Sequence, residues 1–202
     1  MRETLTFAAP RLAWRASLAR RMDALNKLAD AELVARTLQG NRDAFGEMVR
    51  RHQTFAYNVA LRVVGNRADA LDVTQDAFVR AYDALASFDA TRPFAPWLSA
   101  IVTNLALNFV QRKRPALELQ AELRAPSRAD PAQRALDSEQ QARVRAALHE
   151  LSPQWRAVIE LRHFQEMSYD EIAAALELPI SDVKSHLFRA RQKLKQLLEA
   201  SE

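Results

Sequence analysis

The sequence predicts an all-α protein made of two small helical domains joined by a flexible linker. The 202 residues include only three glycines. Apolar residues recur at spacings of three and four along most of the chain, which is the period of amphipathic helices. Residues 115–132 contain three prolines and little apolar periodicity, which is typical of a linker. We therefore expect a weakly structured extension over 1–26, a first domain over 27–114 and a second over 133–202.

Four helices are predicted in the first domain. The first covers 30–39, with Leu33, Val34 and Leu38 facing inward. Asn41 can cap the second helix, and Gly65 is a suitable C-terminal stop. That helix has an inward face made of Phe45, Met48, Val49, His52, Phe55 and Val59.

The third helix of this domain is predicted over roughly 68–86 and the fourth from the end of the loop 87–96 to about 112. The inward residues expected on the third are Leu71, Phe78, Ala81, Tyr82 and Leu85. Those expected on the fourth are Leu98, Ile101, Val102, Leu105 and Phe109. Each set follows helical spacing, so each helix should bury one stripe.

The second domain is predicted to begin near Gln133. Its first helix should bury Leu136, Val144, Ala147, Leu148 and Leu151. The next helix starts at Ser152 and Pro153, a cap followed by a first-turn proline. Residues 168–195 then predict a helix-turn-helix with its turn around Pro179.

The caps of this helix-turn-helix can be read from the sequence. Ser168 and Glu171 have the spacing of a capping box, and Ser181 can cap the second helix. The buried stripe expected on that helix is Val183, Leu187, Ala190, Leu194, Leu197 and Leu198. The two helices could be ordinary packed surface helices, but the basic outer side of the second favours a recognition helix in a DNA major groove.

The outer side of the predicted recognition helix carries residues that can contact duplex DNA. Arg189 and Lys184 could reach a guanine edge or a phosphate, and Phe188 a thymine methyl group. The candidate DNA contacts are Ser181, Lys184, Ser185, His186, Phe188, Arg189, Gln192 and Lys193.

The third helix should present an acidic stripe. Asp69, Asp72, Asp76 and Asp83 fall within about 60° of one another at the helical period, and Val73 and Arg80 lie in the same stripe. It is either a solvated charged face or a docking surface for a basic partner protein, because acidic charge repels DNA.

The loop 87–96 and the fourth helix suggest a surface for single-stranded nucleic acid. Aromatic side chains can stack on bases, amides can read base edges, and a basic helix end can hold phosphates. The candidate residues are Phe88, Phe94, Trp97, Asn104, Asn108, Gln111, Arg112, Lys113 and Arg114. The alternative is that the aromatic residues belong to the core.

No catalytic, metal-binding or membrane signature is present in the sequence. There are no cysteines, the four histidines are scattered, and neither HExxH, GxSxG nor a phosphate-binding glycine loop occurs. His52 is expected at the edge of the core. No apolar run reaches the roughly 18 residues of a membrane span. We expect a cytoplasmic protein with no cofactor and no enzymatic activity.

Three motifs in order resemble the extracytoplasmic-function (ECF, group 4) family of bacterial RNA polymerase sigma factors. DALDVTQDAF (69–78) is similar to the family's polymerase-binding helix. Residues 88–114 are similar to its −10 reading and melting segment, and 151–194 to its −35 reading domain. The resemblance covers roughly residues 27–198.

The resemblance implies an alternative sigma factor that binds core RNA polymerase and directs promoter recognition. It implies contacts with the clamp helices and the flap of the large subunits, with duplex −35 DNA and with single-stranded −10 DNA. It also implies an anti-sigma factor, no membrane insertion, and association with the nucleoid when bound to polymerase. The residues it places on the clamp helices are Asp69, Asp72, Val73, Gln75, Asp76, Phe78 and Arg80.

Several positions depart from the family pattern. Leu71 replaces a usual acid, Ser99-Ala100 a usual aromatic-basic pair, and His186 a common arginine. Pro93 and Pro96 are expected to stiffen the specificity loop. Glu177 replaces a frequent turn glycine, which predicts local backbone strain.

Two rival functions remain open at this point. One is a free-standing helix-turn-helix DNA-binding regulator, in which the first domain serves for dimerisation or ligand binding. It would bind a palindromic duplex site without polymerase. The other is a polymerase-binding decoy that no longer melts promoters.

Overall fold

A computed structural model describes the backbone of residues 24–121 and 139–200, and the side chains of 24–113 and 143–200. Every regular element within those residues is helical. This confirms the all-α prediction and the division into two helical domains. The proposed extension over 1–26 lies almost wholly outside the described residues.

Between residues 30 and 121, the first domain is built from four α-helices. These are α1 (Asp30–Leu38), α2 (Arg42–Val64), α3 (Arg67–Ala84) and α4 (Phe94–Ala121), with a 3-10 turn, Leu85–Ser87, after α3. The Asn41 side chain accepts hydrogen bonds from the backbone N–H groups of Asp43 and Ala44 at the start of α2. Gly65 ends that helix in the left-handed region, with φ of 87°. Both predicted helix ends are confirmed.

The buried face of the third helix was predicted wrongly in part. Leu71 and Tyr82 are 53% and 42% exposed. The buried residues of α3 are instead Asp69, Ala70, Val73, Thr74, Ala77, Phe78 and Ala81. Small side chains on this face let α3 approach its neighbours closely, so packing overrides the larger apolar residues of the adjacent stripe.

Leu38 at the end of α1 is also exposed, at 55%, although it was predicted to face inward. Thr37 is buried in its place, and its hydroxyl donates to the carbonyl oxygen of Leu33 at 2.7 Å. That intrahelical bond satisfies the buried hydroxyl.

Helix α4 does not end near residue 112. It continues to Ala121, so the beginning of the segment predicted as a linker is helical. Pro115 lies inside this helix, where it cannot donate the backbone hydrogen bond of its position. The domain boundary itself stays a prediction.

The buried carboxylate of Glu47 organises a hydrogen-bond network that connects α2 to the residues at the start of the first domain. Glu47 is 1% exposed and accepts hydrogen bonds from Arg50 and Arg51 at 2.7 and 2.9 Å. Arg51 also donates to the Leu28 carbonyl oxygen at 2.8 Å and to Asp30 at 3.0 Å. Hydrogen bonding to Arg50, opposed by burial, lowers the pKa of Glu47 to about 2. His52 lies beside this network, 2.8 Å from Asp30, at the predicted edge of the core.

Within residues 139–200, the second domain shows four α-helices and one π-helical turn. They are α5 (Glu139–His149), α6 (Pro153–Ile159), the turn Glu160–Phe164, α7 (Tyr169–Leu176) and α8 (Ile180–Glu199). The Ser152 side chain caps α6. Ser168 and Glu171 form the predicted capping box of α7. The helix-turn-helix is therefore present as α7 and α8.

Two details of this domain differ from the prediction. Helix α8 starts at Ile180 with Pro179 at the N-cap and no side-chain cap, while the Ser181 hydroxyl donates to Asp182. Ser181 already lies inside the helix because proline's fixed φ lets the chain enter it earlier. Val144 is 39% exposed rather than buried. Leu136 lies outside the described residues.

The two domains pack against each other along one seam. Helix α2 contacts α6, and α4 contacts α7. Arg62 on α2 pairs with Glu160 at the start of the π-helical turn. The helices that carry the predicted −10 residues therefore lie next to the first helix of the helix-turn-helix.

Candidate protein and nucleic-acid interfaces

The outer face of α3 presents the centre of the predicted acidic stripe to solvent. Asp72, Gln75, Asp76 and Arg80 are exposed, as is Asp83. These side chains stand on one side of the helix because the opposite side packs on α2 and α4.

Asp69 and Val73 were predicted to lie on that exposed face and are buried instead, whereas Phe78 is buried as its inward spacing predicted. They are 8%, 1% and 7% exposed. The backbone N–H of Asp69 donates to the side-chain oxygen of Asn66, and the Asp69 carboxylate accepts from the Asn66 amide. The same carboxylate pairs with Lys113 at 2.6 Å. A carboxylate with such partners holds α3 to α4 rather than facing a partner protein.

An apolar component of the α3 face was missed. Leu71 and Val79 are 53% and 64% exposed, and they flank Gln75 at a spacing of four residues. Tyr82 continues the stripe, with its ring 4.9 Å from that of Phe45. The signal was available in the sequence, since Ala70, Ala77 and Ala81 mark an alternative inward stripe of small residues. We call Leu71, Asp72, Gln75, Asp76, Val79 and Arg80 the α3 docking face.

The aromatic residues of the 87–96 region form a packed cluster. The ring of Phe94 lies 5.6 Å from Phe88, 5.3 Å from Trp97 and 5.0 Å from His52. Phe94 is 3% exposed, so it is a core residue and the prediction that it stacks on bases is wrong for this arrangement. Phe88 and Trp97 are half-buried and retain an accessible edge.

The polar side of α4 is open towards its C-terminal half. Asn108, Gln111 and Arg112 are exposed and line a shallow hollow with Leu105. Lys113 pairs with Asp69 and lies over the Phe109 ring at 5.4 Å. The side chain of Arg114 lies outside the described residues.

Asn104 is half-buried, and its amide donates to the Ala175 carbonyl oxygen of the second domain at 2.6 Å.

Ser99 is fully buried. The departure at Ser99 therefore lies in the core and not on a DNA-facing surface.

The outer side of α8 is exposed as predicted. Phe188 is 62% exposed, an unusual position for an aromatic side chain. The other exposed candidates are Ser181, Lys184, Ser185, Arg189, Gln192 and Lys193. Val183, Leu187 and Ala190 form the buried stripe.

His186 is the exception on this helix. It is half-buried, and its Nδ1 atom is buried with no hydrogen-bond partner among the described residues. Arg191 on the same helix is exposed, and its guanidinium lies 3.3 Å from His163 Nε2. Partial burial, followed by the charge of Arg191, lowers the pKa of His163.

Within residues 24–113 and 143–200, no cluster of His, Asp and Glu has the arrangement of a metal site. Among the helices that the structure describes, none is both long and apolar enough to cross a bilayer.

The two domains match two parts of one class of transcription factor. Residues 48–115 match the family described as Sigma-70 region 2, and residues 141–194 match the one described as Sigma-70, region 4. A helical bundle of the first kind followed by a helix-turn-helix of the second defines a sigma-70-type initiation factor, which works with RNA polymerase and promoter DNA.

Similar proteins narrow the class. The chain is 32% identical over 171 residues to the ECF RNA polymerase sigma factor SigW of Bacillus subtilis, covering 79% of this chain and 91% of SigW. It is 34% identical over 181 residues to the ECF RNA polymerase sigma-E factor of Escherichia coli, covering 83% and 93% of the two chains. The chain belongs to the ECF family of RNA polymerase sigma factors, and it is an alternative sigma factor that directs transcription initiation.

Solved structures agree with this assignment. The structure of CnrH in complex with the cytosolic domain of CnrY is 34% identical, with a TM-score of 0.59, covering 86% of this chain and 99% of that chain. The sigma factor RpoE in complex with the anti-sigma factor NepR from Bartonella quintana, 23% identical with a TM-score of 0.61, has the same fold over 78% of this chain and 98% of its own.

Proposed function

We propose that this sigma factor binds core RNA polymerase through the α3 docking face. The observation that carries the proposal is the pair of exposed carboxylates, Asp72 and Asp76, set between the exposed apolar side chains Leu71 and Val79. Apolar groups ringed by charge are typical of a protein interface. The acidic charge favours a basic partner surface on the clamp helices of the large subunit.

The second part of the proposal assigns the −10 element to α4 and the loop before it. Exposed Asn108, Gln111 and Arg112 offer amides and a cation to an unpaired strand, and half-buried Trp97 lies three turns earlier on the same helix. Extruding a base from the duplex requires a few kcal/mol, and stacking returns about 1–3 kcal/mol per base. This near balance explains why polymerase contacts are needed for melting.

The −35 element is assigned to α8. Lys184, Ser185, Phe188 and Arg189 project from one side of a helix whose other side packs on α6 and α7. A helix presented in this way fits the major groove of duplex DNA. We place this domain on the polymerase flap, with the segment over 115–132 leading from one DNA reader to the other.

The remaining parts of the proposal concern the cellular setting. The protein is a cytoplasmic factor that joins the nucleoid when bound to polymerase, and it has no catalytic activity of its own. Control by an anti-sigma factor is supported by the complexes in which the similar folds of CnrH and RpoE were solved.

The test is a charge reversal on the docking face. Asp72→Arg with Asp76→Arg should reduce binding to purified core polymerase at least about 100-fold, because like charges then oppose each other at the interface. Binding is measured by fluorescence anisotropy of the labelled sigma factor.

The matched control reverses two exposed carboxylates elsewhere, Glu32→Arg with Glu199→Arg, which produces the same change in net charge. Equal polymerase affinity for the two double variants would refute the docking site. Circular dichroism verifies that both variants remain helical.

A further inference from the structure

The outer side of α3 presents large apolar side chains to solvent. Leu71 and Val79 of the α3 docking face are 53% and 64% exposed, and Tyr82 on the next turn is 42% exposed. Apolar side chains gathered on one side of a helix are more stable when a partner covers them. The exposed carboxylates of Asp72 and Asp76 stand among them. A segment that covers this face is therefore expected to be both apolar and basic.

The chain contains a segment of that composition near its own N-terminus. Residues 11–21 read RLAWRASLARR, with four arginines and no acidic residue. The segment also contains the large apolar side chains of Leu12, Trp14 and Leu18. We call residues 11–21 the basic arm. Its composition complements the α3 docking face in both charge and apolar character.

The basic arm joins the folded chain beside α2. Leu25 is 4% exposed, and its carbonyl oxygen accepts a hydrogen bond from Arg51 Nη2 at 3.2 Å. The carbonyl oxygen of Asn26 accepts from the same nitrogen at 2.8 Å. These hydrogen bonds hold the point where the arm begins against the middle of α2.

That point is level with the centre of the α3 docking face. Helices α2 and α3 pack together, and the ring of Phe45 in the first turn of α2 lies 4.9 Å from that of Tyr82 in the last turn of α3. The two helices therefore run in opposite directions. Arg51 lies six residues after Phe45, and Asp76 lies six residues before Tyr82, so each is about 9 Å along its helix from the ring pair.

The arm is long enough to reach the outer side of α3. Eleven positions separate Trp14 from Leu25, and an extended chain of that length spans up to about 36 Å. A helix with its side chains is about 10–12 Å across, so a path over α2 and α3 requires roughly 20–25 Å. Tethering holds the arm near the face at an effective concentration of about 1 mM, so a contact with a dissociation constant of about 0.1 mM would be about 90% formed.

The outer side of α8 is a poorer site for the arm. Phe188 is as exposed as Val79, at 62%, but Lys184 and Arg189 share its side of the helix and repel arginine side chains. The α3 docking face has one cation, Arg80, and two carboxylates, and exposed Asp83 adds a third carboxylate beside it. Charge therefore favours α3 over α8.

We infer that the basic arm docks on the α3 docking face of its own chain and competes there with polymerase. The inference rests on the proposed polymerase site on α3. The arginines of the arm pair with Asp72 and Asp76, and its apolar side chains cover Leu71 and Val79. The affinity for polymerase is then the intrinsic affinity multiplied by the fraction of chains in which the arm is displaced.

The first experiment locates the arm without polymerase. Since the chain has no cysteine, a nitroxide can be attached only at Ser17→Cys in the full chain. The nitroxide should broaden the amide NMR signals of residues 71–80 more than those of α8. Asp72→Asn with Asp76→Asn should remove most of this broadening, because the arm loses its charged partners.

The matched control neutralises two exposed carboxylates elsewhere, Glu32→Gln with Glu199→Gln, and should leave the broadening unchanged. Equal broadening of the α3 and α8 signals would overturn the docking site, and so would broadening that persists in the Asp72 and Asp76 variant.

A mixture of two samples distinguishes the chain's own arm from that of a second copy. The nitroxide is carried by a chain without ¹⁵N, and the signals are recorded from a ¹⁵N-labelled chain without the nitroxide. The mixture should show little broadening. Broadening as strong as in the singly labelled chain would show docking between copies and contradict the intramolecular arm.

The second experiment tests competition with polymerase. Arg11→Glu with Arg15→Glu in the full chain should bind purified core polymerase about tenfold more tightly than the parent, because the repelled arm leaves the face free. Fluorescence anisotropy measures the affinity. Raising the salt concentration should shrink the difference, since exposed ion pairs are screened.

Arg36→Glu with Arg42→Glu is the control, because it makes the same change in net charge on α1 and α2. It should not tighten polymerase binding. Equal affinities of the arm variant and this control would overturn the competition. If Asp72→Arg with Asp76→Arg leaves polymerase binding unchanged, the polymerase site lies elsewhere and the competition fails with it, while the nitroxide experiment still decides where the arm docks.

Discussion

Glu177 shows how a single residue carries strain in the turn of the helix-turn-helix. It adopts φ of 53° and ψ of 41° after the end of α7, and its N–H donates to the Ala173 carbonyl oxygen. Left-handed backbone is unfavourable for a residue with a Cβ atom, by about 1 kcal/mol. The absence of the usual glycine predicted this strain, and the dihedral angles confirm it.

Glu177→Gly should therefore raise the free energy of unfolding by about 0.5–1 kcal/mol, measured by urea denaturation. Ala174→Gly is the control, because it places glycine at an exposed, right-handed position of α7 and should destabilise by about 1 kcal/mol. Equal losses in the two variants would show that the turn is not strained.

Glu47 is a second single residue with a measurable effect, because its contribution to the free energy of unfolding depends on pH. Its pKa in the folded chain is about 2, below the ordinary value of 4.5. Unfolded chains therefore bind the proton more readily, and the contribution of Glu47 to stability is complete above pH 4.5 and lost as the pH falls towards 2.

Glu47→Gln should lower the free energy of unfolding by about 3 kcal/mol at pH 7, because Arg50 and Arg51 lose their buried carboxylate. The difference from the parent should shrink as the pH is lowered through 4 to 3. Chemical denaturation at a series of pH values measures this. Glu32→Gln, in an exposed pair, should change little at any pH. A pH-independent difference would contradict the assignment.

At the scale of helices, the sequence predicted where each helix begins and ends better than it predicted which side of each helix is buried. Asn41, Gly65, Ser152 and Ser168 act locally, through bonds to residues within four positions, and each was identified from the sequence. Which face of α3 is buried depends on the helices that pack against it. Alanines occupy the buried face, and Leu71 and Tyr82 are exposed. That error also hid the apolar part of the docking face.

For helix α8 the buried side was predicted correctly, because one side of the helix is basic and the other is apolar, and only the apolar side can pack on the domain. Replacing Lys184 and Arg189 with alanine should weaken binding to −35 duplex DNA and reduce the slope of log affinity against log salt by about 2. Fluorescence anisotropy at several salt concentrations measures both.

Arg36→Ala with Arg42→Ala removes the same charge from the first domain and serves as the control. It should leave both affinity and slope close to those of the parent. An unchanged salt slope in the Lys184 and Arg189 variant would remove these residues from the DNA interface.

At the scale of the whole molecule, the order of domains could be predicted but their contact could not. Arg62 and Glu160 are separated by 98 positions, and nothing local in either stretch signals a partner. The aromatic cluster is a similar case. Phe94 lies in the core because His52 and Trp97 surround it, which only the tertiary arrangement determines.

The α3 docking face, the polar side of α4 and the outer side of α8 stand on different helices. We propose that they contact different partners and that polymerase holds the two DNA-reading surfaces at promoter spacing.

The most direct test is transcription in vitro with purified bacterial core polymerase over a genomic fragment library, with start sites mapped in the presence and absence of this protein. We predict new start sites that require the protein and share two upstream sequence elements at fixed spacing. The Asp72 and Asp76 reversal should abolish them. Identical start sites with and without the protein, together with tight binding of the protein alone to duplex fragments, would contradict the account.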